Sequence, residues 1–230
     1  MRSTSVDVRL ARRHSQRESR AARRVLNAGS GFFSRRQLHP VFTIDNWRQV
    51  SLDIDPNTEP DIVSSITNLQ KVVPTGSFDA VFCSHTLEHL YAHEVPLAIS
   101  EFKRVLKNDG FVLIRSPDLE TATSLIVKHG TDYVAYRSPA GPITPLEMLF
   151  GHTASIARGR KNMGHKTGFT SGSLGKLLLA GGFPAVLVKR DNFDLWALAM
   201  TSEADETSVL GDLLSAGLDF TDHNANHDGS

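Results

Sequence analysis

A single cysteine, Cys83, leaves no partner for an intrachain disulfide, so nothing in the 230 residues calls for an oxidising compartment. No apolar run is long enough to span a bilayer, and a membrane partner is not expected. The Arg- and Ser-rich start is followed by no apolar segment that could serve as a secretory leader, and Asp7 and Glu18 break the acid-poor pattern of a transit peptide. Cytoplasmic localisation is the resulting expectation. Net charge is missing as well: 25 basic side chains balance 25 acidic ones, so no global field attracts nucleic acid, although a local contact with it stays open.

What is present is enough apolar residue, 40% of the chain, to bury one full α/β core with insertions rather than two separate domains. The charges are unevenly placed. Arg2, Arg9, Arg12, Arg13, Arg17, Arg20, Arg23 and Arg24 crowd the start, while Glu203, Asp205, Glu206, Asp212, Asp219, Asp222 and Asp228 come after the last apolar run without a Lys or Arg. The expected layout is an Arg-rich arm over 1–23, a domain over 24–201 with a cap inserted at 117–168, and an acidic tail over 202–230. Solvated arm and tail are the simpler reading. The sharper one is an arm that grips a polyanion or folds onto the tail.

The stretch that organises the domain is Val25-Leu26-Asn27-Ala28-Gly29-Ser30-Gly31. An apolar run ending in small residues is a buried strand that breaks into a tight turn, where Gly29 and Gly31 permit positive φ and close approach of a ligand to backbone. About one βα unit later Val50-Ser51-Leu52-Asp53 ends a second strand in an acid, placed to accept from the hydroxyls of a ribose. The pair points to a nucleoside site. A dinucleotide fingerprint would need a third glycine, and Phe33 and its neighbours supply none.

Further along, residues 35–40 offer only a short helix stopped at Pro40, and residues 55–61 are too short for a helical crossover. Either the second helix is missing or the 61–66 strand is displaced. Phe78 to Ser84 reads as a strand covered on both faces. Val95, Ile99, Phe102 and Leu106 then mark one face of a helix over 92–106, ended by Asn108-Asp109-Gly110, with the next strand at 111–115. A helix over 173–180 stops at Gly181-Gly182, and residues 185–189 and 195–200 flank a hairpin turn.

In this order the pieces resemble the class I S-adenosylmethionine-dependent methyltransferases, of the type 11-like kind, from about residue 24 to 201. Asn27 to Gly31 resembles the family's first motif, Leu52-Asp53-Ile54-Asp55 its ribose acid, and Ser77 to His85 its fourth strand. Leu87-Glu88-His89-Leu90 and Val105 to Gly110 resemble the family's next helix and the entry to its fifth strand. The resemblance implies a doubly wound, mostly parallel, seven-stranded Rossmann-like α/β sheet with a terminal antiparallel hairpin and an inserted cap. It implies S-adenosyl-L-methionine as cofactor, contacted by Asn27, Ala28, Gly29, Ser30, Gly31, Asp53, Ile54, Ser65, Ile66, Thr67, Ser84 and His85. The expected activity is transfer of a methyl group to a small molecule; the alternative is a non-catalytic module of the same fold that recruits a partner through its Arg-rich arm.

For the chemistry, the candidates are His85, Glu88, His89 and His165. His85-Thr86-Leu87-Glu88-His89 matches H-x-x-E-H, a zinc-peptidase pattern, but His85 ends a strand, which breaks the one-helix ligand geometry that enzyme needs. The segment also resembles the E-x-x-E-H metal set of ubiquinone-type O-methyltransferases and small-RNA 2′-O-methyltransferases, with His85 in place of the first Glu and His165 as a further ligand. A divalent ion there would lower the pKa of a substrate hydroxyl. The metal-free reading is the preferred one: the same four side chains are candidate bases, or line a pocket wall, and methyl transfer needs the acceptor held in line with a base nearby. Topology predicts that all four converge, because ligands of a doubly wound sheet bind beyond the carboxyl ends of its strands.

Overall fold

The structure is a computed structural model that describes residues 22–31, 38–43, 47–138 and 141–221. The expectations for the arm before residue 22, for Phe33, for the helix at 35–37, for Pro139-Ala140 and for the tail after 221 fall outside these residues.

The strands run β1 Arg23–Ala28, β2 Trp47–Asp53, β3 Ile62–Val63, β4 Phe78–Ser84, β5 Leu106–Pro117, β6 Tyr136–Ser138, β7 Gly141–Ile143, β8 Ala185–Asp191 and β9 Asp194–Met200. The helices are α1 Val95–Val105, α2 Leu119–His129, α3 Pro145–Phe150, α4 Thr153–Ala157, α5 Ser171–Ala180 and α6 Glu206–Ser215. Seven strands form one sheet in the order β3-β2-β1-β4-β5-β9-β8, parallel except where β9 pairs antiparallel with β5 and β8. β6 and β7 form a separate small hairpin.

Strand periodicity divides the core in two. Leu26, Val81, Cys83, Val112, Ile114, Ala197 and Ala199 face one side, with Ile99 and Phe102 of α1 and Leu174 and Leu178 of α5. Val25, Phe82, Phe111, Leu113, Trp196, Leu198 and Met200 face the other, with Val209 and Leu213 of α6 and the 3-10 turn Pro40–Phe42. Neighbours in sequence thus serve opposite faces, as alternating side chains of a doubly covered strand must.

Several expectations need correction. α1 stops at Val105, and Leu106 turns extended to pair with Phe78, so Asn108-Asp109-Gly110 lies inside β5 instead of ending a helix. Ladder pairing has overridden turn propensity there. Gly110 is needed for approach rather than for positive φ: a Cβ would lie 3.0 Å from the Asp79 carbonyl. Of the two readings of the second crossover, the missing helix is the one that holds: the segment is a 3-10 turn, Pro56–Thr58, and β3 keeps its place beside β2 as two residues. The residues after 201 are not all solvated tail. Asp205 caps α6 by accepting from Ser208 N–H, and Val209, Leu213, Leu218 and Phe220 pack into the core. Arg23, assigned to the arm, belongs to β1, where its guanidinium lies over Trp47 and pairs with Asp212 of α6 at 3.2 Å.

The buried His39 carries a consequence for acid stability. Its Nδ1 accepts from Val41 N–H to cap the 3-10 turn, and burial together with the nearby Arg115 charge lowers its pKa to about 4. A folded value below the unfolded one of about 6.5 means the unfolded chain binds the proton first, so stability is full above pH 6.5 and falls as pH drops toward 4. Between pH 7 and 4.5 this one side chain is expected to cost about 2–3 kcal/mol. His39→Asn keeps the cap without the titration. Urea unfolding at both pH values should show a smaller acid loss in the variant; equal losses would exclude His39 as the cause.

Candidate functional site

At the carboxyl end of β1 the chain turns through Gly29 (φ 81°) and Gly31 (φ 60°). Gly29 and Ser30 N–H both donate to the Leu52 carbonyl, and the Asp53 carboxylate accepts from Gly31 N–H at 2.8 Å through Oδ2 and from Asp55 N–H at 2.9 Å through Oδ1. The acid therefore locks the turn it was expected to serve. Each oxygen has a further lone pair available to a ligand. Ile54, beside it, is exposed, and Ser30 Oγ is buried with no hydrogen-bond partner among the described residues.

Asn27 is buried within β1, and Ala28 closes that strand. Ser65 and Thr67 hydroxyls bond each other at 2.8 Å, while Ile66 packs into the core beside Leu52 and Leu69, with little of its side chain open to solvent. Ser84 ends β4.

One residue later the ladder gains a last bond, His85 N–H to the Arg115 carbonyl, and His85 then adopts φ 49°. A left-handed non-glycine residue costs about 1–3 kcal/mol and tends to mark a functional turn. The turn folds Thr86 back over Gly29, its hydroxyl within reach of the Ala28 and Ser84 carbonyls. A Cβ on Gly29 would lie 2.2 Å from Thr86 Oγ1. Glycine is thus required twice, for conformation and for contact. Leu87–His89 forms one 3-10 turn rather than the start of a longer helix, so the peptidase geometry is absent.

The cap arrives at the same rim. Lys166 and Thr167 N–H both donate to the Glu88 carbonyl, at 2.8 and 3.3 Å, and His165 N–H donates to Phe150 O. Gly151 (φ 92°) lets the end of α3 lie against this segment, since a Cβ there would lie 2.0 Å from Met163 O. Glu88, His89 and His165 are thereby gathered with ligand-capable atoms within 4.8 Å of one another. His85 Nδ1 lies 3.5 Å from Glu88 Oε1, so all four candidates meet.

Their electrostatics differ. His89 Nδ1 faces the Gly164 carbonyl at 3.2 Å and His165 Nδ1 the Met148 carbonyl at 3.0 Å. A carbonyl only accepts, so both Nδ1 atoms carry the proton and the Nε2 lone pairs are left to the site. Burial, reinforced by His89 and His85, lowers the His165 pKa against the pull of Glu88, which keeps that ring neutral at pH 7. Burial alone would raise Glu88 and lower His85. Their mutual hydrogen bond and charge reverse both, with Asp194 adding to the rise at His85, so a carboxylate faces an imidazole biased toward its charged form.

Four contributors were not singled out from sequence. Asp194, at the start of β9, lies 3.6 Å from His85 Nε2 while Arg115 Nε and NH2 clamp its other oxygen at 2.9 and 2.6 Å. Ser116 Oγ donates to Glu88 Oε2 at 3.4 Å, and Thr86 joins the glycine turn to the His85 turn. An acid opening an otherwise apolar strand, Asp194-Leu195-Trp196-Ala197, was the one available signal.

A family model described as "Methyltransferase domain" matches residues 22–114, from the entry to β1 into β5. A comparison with curated proteins finds no match. Among solved structures, a SAM-dependent methyltransferase from Archaeoglobus fulgidus superposes with a TM-score of 0.52 at 16% identity, covering 85% of this chain and 93% of that one. The PH0226 protein from Pyrococcus horikoshii OT3 gives 0.52 at 15% identity over 86% and 93% of the two chains. An O-methyltransferase family protein from Burkholderia thailandensis gives 0.52 at 14% identity over 86% of this chain and 58% of its own. At such identities the likeness speaks for the fold. Residues 22–114 thus match a methyltransferase-domain model, and the chain as a whole shares the fold of these solved structures, a SAM-dependent methyltransferase from Archaeoglobus fulgidus among them.

Proposed function

We propose that this chain transfers a methyl group from S-adenosylmethionine to a small-molecule acceptor. The observation that carries the reading is the Thr86 contact: the acid-locked glycine turn and the Glu88, His89 and His165 cluster share one wall, so a donor in the first borders an acceptor in the second. The residues present suit the cofactor. Gly29 and Gly31 open the backbone, Asp53 offers two oxygens to a ribose, and exposed Ile54 offers an apolar face. When bound, the cofactor supplies an electrophilic methyl group on a sulfonium. The chain's own part is to hold the acceptor atom in line and to take its proton at the His165 Nε2 lone pair, with Glu88 next to it to stabilise the resulting charge.

A metal-assisted version is favoured by one observation. Two imidazoles tethered at Nδ1 to backbone carbonyls, with a Glu88 oxygen within 4.8 Å of a nitrogen of each ring, resemble the usual arrangement of ligating histidines. Glu88, His89 and His165 would hold the ion, and their donor set suits zinc, iron or manganese better than magnesium. It would polarise the acceptor. Calorimetric titration with Zn2+ and Mn2+ separates the versions: binding that disappears in His89→Ala supports the ion, and no binding in wild type excludes it.

The activity itself is tested in two steps. Calorimetry with S-adenosylhomocysteine should show saturable binding, and no heat or thermal shift at millimolar ligand would remove the assignment. S-adenosylmethionine incubated with the protein and a small-molecule cell extract should then yield S-adenosylhomocysteine. Binding without turnover across such extracts would favour the non-catalytic module.

A further inference from the structure

We infer that the acceptor is a compact aryl compound, apolar over its ring and bearing one hydroxyl or amine, which sits under α3 with that group toward Glu88 and His165. This rests on the methyl-transfer reading for its chemistry, and on a cavity of about 260 Å3 for its shape. Its lining is of two kinds. Glu88, His165 and Thr167 bring polar side chains, while Leu119, Met148, Leu149 and Phe150 supply apolar walls. Lys166 also reaches the lining, but its ammonium lies 4.7 Å from the Tyr91 ring centroid, engaged with that ring.

The size sits just below the range of about 300–1,000 Å3 usual for small-molecule sites, which suits one or two fused rings. The wall chemistry narrows the class further. A sugar or a nucleotide would set hydroxyls or phosphate against Leu and Met side chains without partners, at a cost of about 1–3 kcal/mol for each unpaired group. An aryl face meets no such penalty. Phe150 is 65% exposed, although Met148 two residues earlier is buried. A large apolar side chain left open at the mouth of a cavity is surface that an apolar ligand would cover.

Walls and reactive end are fixed to each other. α3 is capped by the reciprocal Thr144 and Glu147 bonds, its last residue Phe150 accepts from His165 N–H, and Met148 O holds the His165 ring. A ring seated on α3 is therefore held at a set distance from the His165 Nε2 atom. That is what positioning an acceptor demands.

The test uses 2-naphthol as probe, with glucose and adenosine monophosphate as polar comparators, titrated calorimetrically into the full chain with and without S-adenosylhomocysteine. Wild type should bind 2-naphthol and neither comparator. Phe150→Glu, at an exposed position that should not disturb folding, should weaken 2-naphthol at least tenfold and leave S-adenosylhomocysteine affinity unchanged; Leu149→Trp, which fills the cavity, should do the same. Failure of 2-naphthol to bind wild type at millimolar concentration, equal binding by both variants, or tighter binding of either comparator would overturn the aryl assignment. If S-adenosylhomocysteine does not bind while 2-naphthol does, the methyl-transfer reading fails and the cavity assignment survives.

Discussion

Asp53→Ala is expected to weaken S-adenosylhomocysteine binding at least a hundredfold. Two hydrogen bonds from a ribose to a carboxylate are each worth about 1.5–3 kcal/mol, so their loss comes to about 3 kcal/mol or more. The same carboxylate also holds Gly31 and Asp55 N–H at 2.8 and 2.9 Å, and without it the glycine turn loses the anchor that shapes it. Asp53→Asn isolates the second effect. Its amide keeps one acceptor but turns an NH2 group toward one of two N–H donors, so affinity should fall at least about tenfold even with the side chain's size preserved. Calorimetry gives the affinities and a melting curve shows whether each variant folds. Binding by folded Asp53→Ala within threefold of wild type would mean that Asp53 serves the turn alone.

That pairing of turn and acid was legible in the sequence because it depends on local backbone chemistry: small residues at Gly29 and Gly31, and an acid ending the neighbouring strand. The sheet was legible for a similar reason, since runs such as Phe78 to Ser84 are apolar on both faces only in a covered strand. Where sequence misled, tertiary pairing had outweighed local preference. Asn108-Asp109-Gly110 has strong turn chemistry, yet Thr201 N–H and hydroxyl bond to the Gly110 carbonyl and keep it in the sheet. The acidic character of 203–212 hid Val209 and Leu213, whose spacing of four places them on one face of α6.

Of the four candidate chemical residues, His85, Glu88 and His89 are close in the chain, and their meeting needs only a turn. His165 is different. Its arrival depends on Lys166 and Thr167 N–H reaching the Glu88 backbone carbonyl and on Gly151 allowing the end of α3 to touch the segment at Met163, and no pattern in the chain announces either contact. Asp194 stood out in the chain only as an acid opening an apolar strand, and its partner did not: that comes from the antiparallel register of β5 and β9, which sets Arg115 opposite Trp196.

Those backbone contacts make Glu88→Gln a clean test of the site's chemistry. The segment that carries His165 is tied to the Glu88 backbone carbonyl through Lys166 and Thr167 N–H, and the substitution keeps that carbonyl, so the cluster should retain its shape while losing one buried charge. Ser116 can still donate to the amide oxygen, and His85, with 40% of its side chain exposed, can release its proton to water when the counter-charge is gone. Removing a group that assists proton transfer slows turnover by about 10²–10⁴. Conversion of S-adenosylmethionine in the presence of small-molecule extract should fall by that much in Glu88→Gln, with S-adenosylhomocysteine affinity within about threefold of wild type, because the ribose anchor at Asp53 is untouched. The double variant Glu88→Gln/His165→Gln should be little slower than either single one, since groups acting on one proton do not contribute independently. Wild-type turnover in Glu88→Gln would assign the carboxylate to holding the His85 turn, and additive losses in the double variant would assign Glu88 and His165 to separate steps.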